Sequence, residues 1–236
     1  MKTIIISIYS ISLVLTSCSQ LEKKADNQHT INTDLNEQEL RQKFIDSVEN
    51  LEDYWPGIIT FMKTNYPNTN ISGLNNQTVQ LIYALEEEFF DETQKNKNRQ
   101  VIRLIFTPTF SNPWSVKLEL KNGKTYVTTK ILSGAGGYFS GYLTHSLTQV
   151  LSDSVIKNSM TQLNKLNFWK IEDETVCTGF DGTYIFFEAI NQNKYWRVDR
   201  WTPLICSDSL NQNLGRFAES LAETSLISNL KGQGIN

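Results

Sequence analysis

Residues 114–132 read WSVKLELKNGKTYVTTKIL, two runs of alternating apolar and polar side chains on either side of Asn122-Gly123. Asn-Gly readily adopts the positive φ values of a two-residue type I′ turn, and it is the strongest short-range hairpin signal a sequence carries. Pairing Lys121 with Lys124 sets Trp114, Val116 and Leu118 on one face with Val127, Thr129 and Ile131. Lys117, Glu119 and Lys130 fall on the opposite face, so the hairpin is expected to have one core side and one wet side.

The pattern extends in both directions. Upstream, residues 101–106 (VIRLIF) form an almost unbroken apolar run suited to a strand covered on both sides, with Arg103 the one exception. Downstream, residues 143–151 are read as a further strand. Ser152, Asp153 or Ser154 then caps a helix carrying Ile156, Met160 and Leu163 and ending near Phe168-Trp169. Residues 183–190 and 194–201 form a second hairpin across Asn191-Gln192-Asn193. Either a two-residue or a four-residue loop sets Glu188 opposite Arg197 and Phe186 opposite Asp199. Ser209 and Gln212 have capping-box spacing for a last helix with Leu210, Leu214, Phe217 and Leu221 on one face.

The first part of the chain is helical in pattern. Asp34 and Glu37 form a capping box before Leu40, Phe44, Val48 and Leu51, which predicts a helix over 35–52. After Trp55-Pro56-Gly57 a short helix is expected over 58–62. Val79, Ile82, Leu85 and Phe89 predict another over 77–93. Three consecutive carboxylates on a helix point in three directions, so Glu86, Glu87 and Glu88 read as its solvated face. The sum is an α+β fold, an antiparallel β-sheet built from hairpins with helices packed mainly on one face. A single domain is expected over 34–236, helical over 34–98 and sheet-rich over 99–236.

Composition agrees: 236 residues, 39% apolar and 20% charged, exclude a collagen, a coiled-coil rod and a wholly disordered chain. With 22 basic against 25 acidic side chains there is no positive field to collect phosphates, and nucleic acid is not an expected partner.

Residues 1–17 combine Lys2, an apolar stretch over 4–15 and small polar residues, the pattern of a secretory signal peptide. As a helix the apolar stretch spans roughly 18 Å, short of a hydrocarbon core of about 30 Å. Leu15-Thr16-Ser17-Cys18 resembles the bacterial lipobox. The resemblance implies that Cys18 is acylated with diacyl chains of palmitate type and becomes the N-terminus of a lipoprotein of the cell envelope, extracytoplasmic and attached to a membrane through that lipid. Loss of Lys2 leaves 21 basic against 25 acidic side chains, a net −4. Residues 18–33 then form a flexible tether spanning roughly 22 Å. His29 lies in it. Two cysteines remain, Cys177 and Cys206, expected as a disulfide in an oxidising compartment, the alternative being two small buried thiols.

The candidate chemistry is sparse. His145 is the one histidine of the folded region, with no metal-ligand spacing around it and no Gly-x-Ser-x-Gly elbow for a triad. Residues 133–138 (SGAGGY) lack the Lys-Ser/Thr ending of a phosphate loop and read as a flexible or bulged connection. No cofactor motif is present. In the last hairpin Ile185, Phe187, Ala189, Trp196 and Val198 read as the core side. Tyr184, Phe186, Glu188, Tyr195, Arg197, Asp199 and Trp201 share the other face, which mixes rings with paired charges and is the candidate binding face for a small molecule, glycan or protein. A ladder of cross-strand pairs is the alternative.

Phe180-Asp181-Gly182-Thr183-Tyr184, Glu188, Tyr195-Trp196-Arg197-Val198 and Arg200-Trp201-Thr202-Pro203 resemble a pattern found in uncharacterised bacterial proteins. Val101-Ile102-Arg103-Leu104 and Phe168-Trp169 are similar to further parts of it. The resemblance implies a shared fold and supplies no reaction. The expected function is a membrane-anchored binding or interaction module, with an extracytoplasmic hydrolase using His145 and a carboxylate as the alternative.

Overall fold

A computed structural model describes residues 74–91, 99–172 and 177–227. The helices expected over 35–52 and 58–62, Cys18 and the tether lie outside the described residues. Six antiparallel strands form one open sheet: β1 (Gln100–Pro108), β2 (Trp114–Lys121), β3 (Lys124–Leu132), β4 (Leu143–Leu151), β5 (Thr183–Asn191) and β6 (Lys194–Trp201). Their order across the sheet is β4-β3-β2-β1-β5-β6. The fold is α+β, completed by α1 (Asn76–Ala84), α2 (Asp153–Lys165) and α3 (Ser209–Thr224).

Both predicted hairpins hold their register. Lys121 pairs with Lys124 around Asn122 and Gly123, whose φ values of 51° and 72° are those a type I′ turn requires. Glu188 faces Arg197 and Phe186 faces Asp199 across the two-residue loop Gln192-Asn193. β1 is central and joins the two halves, with Arg103 paired to Lys117 of β2 and to Glu188 of β5.

One face of the sheet carries α2 and α3. Ile102, Leu104 and Phe106 of β1, Val116 and Leu118 of β2, and Phe187, Ala189 and Val198 pack there against Ile156, Met160, Leu163, Leu214, Phe217 and Leu221. The other face carries α1, whose Val79, Ile82 and Leu85 pack with Ile105, Leu132 and Phe186. Two of the three described helices thus share a face, and the opposite face is covered as well.

Three local expectations shift. Helix α1 ends at Ala84 rather than near 93, because Glu86 turns left-handed (φ 51°) and the Glu87 amide donates back to the Ile82 carbonyl at 3.0 Å. The cap of α3 is Asp208, which accepts from the Asn211 amide at 2.8 Å. Gln212 instead donates to the Cys206 carbonyl. Leu210 is exposed, one turn before the buried stripe of Leu214, Phe217 and Leu221. Ser152 caps α2 as expected, and left-handed Asn167 separates it from a one-turn 3-10 helix, Phe168–Lys170. Among the described residues no helix is long and apolar enough to cross a membrane.

Cys177 and Cys206 lie at disulfide distance, with Cα atoms 5.8 Å apart, flanking the β5–β6 hairpin at the end of the sheet where β5 begins and β6 stops. Closing that loop of 29 residues stabilises the chain by roughly 3.6 kcal/mol on the chain-entropy account. Cys177→Ala, Cys206→Ala and the double variant are therefore expected to lose about the same stability, roughly 2–4 kcal/mol in urea melts under oxidising conditions. Additive losses, or unbridged peptides in a non-reducing digest, would count against the bond.

Candidate functional site

Two residues of the expected binding face, Glu188 and Tyr195, join Arg103, the charge inside the apolar run of β1. Strand pairing fixes its backbone between β2 and β5, and its guanidinium is fully buried. Nη2 donates to Glu188 Oε2, Nη1 donates to the Glu88 carbonyl at 2.7 Å, and the guanidinium lies 4.2 Å from the centre of the Phe90 ring. The Tyr195 hydroxyl donates to the second Glu188 oxygen at 2.7 Å. Glu188 is therefore paired principally through β1, not with Arg197, its neighbour on β6.

Glu87 completes the cluster. Its side chain, buried by the turn after α1, sits 2.5 Å from Lys117 Nζ, 2.8 Å from Lys130 Nζ and 3.5 Å from Arg103 Nη1. Lys130 also donates to the Leu85 and Glu86 carbonyls at 2.8 and 2.9 Å, placing a cation on the C-terminal end of α1. These contacts explain why the helical period stops early. The three glutamates are not a solvated helix face, since Glu87 turns into the sheet and Glu88 pairs with Arg99 at 2.8 Å. The hairpin side expected to be wet is likewise covered. Glu119 is buried, and Lys117 and Lys130 point beneath residues 85–91.

The electrostatics follow from burial and pairing. Burial disfavours the Glu87 carboxylate, but Lys117, Arg103 and Lys130 outweigh it and hold the group down at about 2. Burial pushes Glu188 up against the opposing pull of Arg103 and Tyr195. Burial together with the adjacent Glu188 carboxylate pushes the Tyr195 phenol up, and burial lowers Lys117. This arrangement clamps residues 85–91 onto the sheet.

As a surface, the expected binding face is broken up. Glu188, Tyr195, Trp201 and Phe186 are buried, Arg197 and Asp199 are half-buried, and Tyr184 alone is exposed. Asp199 accepts from Asn75 Nδ2 at 3.0 Å, beside the start of α1. His145 stands on edge strand β4, where its Nδ1 lies 2.9 Å from Thr144 Oγ1 and partial burial lowers its pKa. Among the described residues no group of His, Cys, Asp or Glu side chains is placed to hold a metal ion.

A different surface is open. At the end of the sheet where β1 stops and β2 starts, three loops are fastened around Thr109. Its amide and hydroxyl both donate to the Gly182 carbonyl, its hydroxyl accepts from the Gly182 amide at 3.1 Å, and its carbonyl accepts from the Gly137 amide at 3.0 Å. The β3–β4 loop presses so close that a Cβ on Gly136 would stand 2.5 Å from the Pro108 carbonyl oxygen. From these loops project Phe110 (67% exposed), Tyr138 (72%), Phe139 (54%) and Phe180 (fully exposed), with the Phe110 and Tyr138 rings 6.2 Å apart. Residues 107–113, 133–142, 177–182 and 202–206 contain one charged side chain, Asp181, whereas the opposite end of the sheet carries Arg99, Lys121, Lys124, Asp153 and Lys194. Residues 133–138 thus connect β3 to β4, after a register irregularity between Ile131 and Leu132, and support two of the exposed rings. Aromatic residues set among Gly, Ser, Thr and Pro, outside any strand, were the available sequence signal.

A cleft of about 460 Å³ lies between the end of α2 and the start of α3. Its buried Arg200 is bonded to Asn211 Oδ1 and to the Asp199 and Glu172 carbonyls and joins these segments. No protein-family model matches the chain, and no curated protein is similar to it.

Two outcomes test the Arg103 cluster. A double-mutant cycle in urea should give strong coupling between Arg103→Met and Glu188→Gln, with Arg103→Met alone costing about 3–5 kcal/mol. Coupling between Arg197→Ala and Glu188→Gln should be weaker. For Glu87, a folded pKa near 2 lies below its ordinary value of 4.5, so its contribution is present above pH 4.5 and is lost as pH falls toward 2. That loss amounts to about 2–4 kcal/mol in the wild type, and Glu87→Gln should flatten this part of the pH profile. An unchanged profile in Glu87→Gln would remove the carboxylate from the acid response.

Proposed function

We propose that the protein is a lipid-anchored, extracytoplasmic interaction module of the bacterial cell envelope, and that its contact surface is the aromatic end of the sheet. The observation that carries this reading is the set of four exposed rings on loops fastened at Thr109, in described segments (107–113, 133–142, 177–182 and 202–206) whose one charged side chain is Asp181. Ordinary surfaces scatter single apolar residues. Several large rings grouped on loops with few charges are the composition of a contact surface.

The anchor rests on the lipobox-like Leu15-Thr16-Ser17-Cys18. A hydrolase built on His145 draws less support, because the ring's described hydrogen-bond partner is a threonine hydroxyl on an edge strand and not a serine or carboxylate in a pocket.

Mass spectrometry of the membrane fraction is expected to find the mature N-terminal peptide beginning at Cys18 and carrying acyl chains, and Cys18→Ala should shift the protein out of that fraction. An unmodified Cys18 in a soluble mature protein would overturn the anchor. Retention of Cys18→Ala on the membrane would point to a further attachment.

A further inference from the structure

We infer that the aromatic end of the sheet lies against the lipid–water interface of the membrane that holds the anchor, so that the domain stands with Phe110, Tyr138, Phe139 and Phe180 toward the lipid and its charged turns away from it. The inference rests on the module reading above and names the partner of the same surface.

Three observations favour lipid over another occupant. First, the described chain begins at this end. Asn75 and Gln77, at the start of α1, bond to Asp199 near the end of β6 and to the Gly136 carbonyl in the β3–β4 loop (Gln77 Nε2 to O, 2.9 Å). The polypeptide that precedes residue 74, and that carries Cys18, therefore joins the described fold beside the exposed rings. Second, two polar side chains between the rings are spent on the loops. Thr109 is bonded to Gly182, and Asn112 Nδ2 donates to the Gly134 carbonyl at 3.1 Å. Recognition of a sugar or a defined protein epitope calls for polar groups aimed outward to fix orientation, whereas a lipid interface imposes no register. Third, Asp181 is the one charged side chain of the described loop segments that carry the rings and the mature chain is expected to be net acidic, so attraction to anionic headgroups is not the driving force. What remains is partition of aromatic rings into the interface, where tyrosine is at home. Partition too weak to bind a free protein suffices here, because a tether keeps the local concentration of lipid surface high.

The test uses the full acylated chain reconstituted in vesicles of phosphatidylethanolamine and phosphatidylglycerol. An environment-sensitive dye is placed in turn at Phe139→Cys, Phe180→Cys and, at the opposite end, Lys124→Cys. All three positions are exposed, so these substitutions remove little packing. With brominated lipid, the dyes at 139 and 180 are expected to shift to the blue and lose most of their emission, while the dye at 124 stays water-like and unquenched. If the protein floats with the vesicles but all three dyes respond as the one at 124 does, the inference is overturned and the anchor reading survives. If the chain does not float, the anchor reading and the inference fall together. Dyes at 139 and 180 that stay wet on vesicles but are shielded in intact cell envelopes would assign the surface to a protein or glycan partner and also overturn the inference.

Discussion

A guanidinium in the middle of a six-stranded sheet has to be neutralised where it stands, and much of this molecule is arranged around that requirement. Arg103 sits on the central strand, where neither face is open to water. An unpaired ion in such a place costs several kcal/mol, and here Glu188 approaches from β5 while Glu87 is brought over the top by the turn that ends α1. Phe90 closes the remaining side with its ring face. Covering one charge thus fixes where α1 ends, how residues 85–91 cross the sheet, and why Lys117 and Lys130 lie beneath protein.

The local part of this architecture was legible in the sequence. Asn122-Gly123 set one register, and the even loop near Gln192 set the other, because a side-chain period of two leaves no intermediate choice. The apolar run of β1 announced a strand covered on both faces. What escaped was the partner of each charge. Glu188 and Arg197 are neighbours in a hairpin and invite pairing, but the β1–β5 contact spans 85 positions and has no local signature. The same blindness made Glu86, Glu87 and Glu88 look like a helix surface. The apolar period does continue through Phe89, and only tertiary ion pairs draw the chain out of it. The open aromatic end was missed for a different reason, since its residues come from four segments that become adjacent only when the sheet forms.

The two ends of the sheet differ in the work their turns do. At one end, short charged turns connect strands with minimal length. At the other, longer loops of small neutral residues are fastened to one another through Thr109 and Gly182 and hold large rings outward. Backbone hydrogen bonds and close glycine contacts fix those loops, so their rings do not need to pack inward to be positioned. The cysteine pair lies at this end as well and joins the segment before β5 to the segment after β6.

Arg103 has one more consequence, which concerns the unfinished chain. Strands β1 to β4 form a meander of consecutive neighbours, and until β5 arrives β1 is its outer edge. An edge strand as apolar as residues 101–106 is a ready template for pairing with another copy, which is how nascent sheet proteins aggregate. A charge placed on such an edge and pointing toward the future core makes a wrong strand that brings no carboxylate in that register bury an ion short of a partner. The right strand brings Glu188 in register opposite it. The largest fully buried side chain of the finished fold is, in the half-made one, a gatekeeper against mispairing.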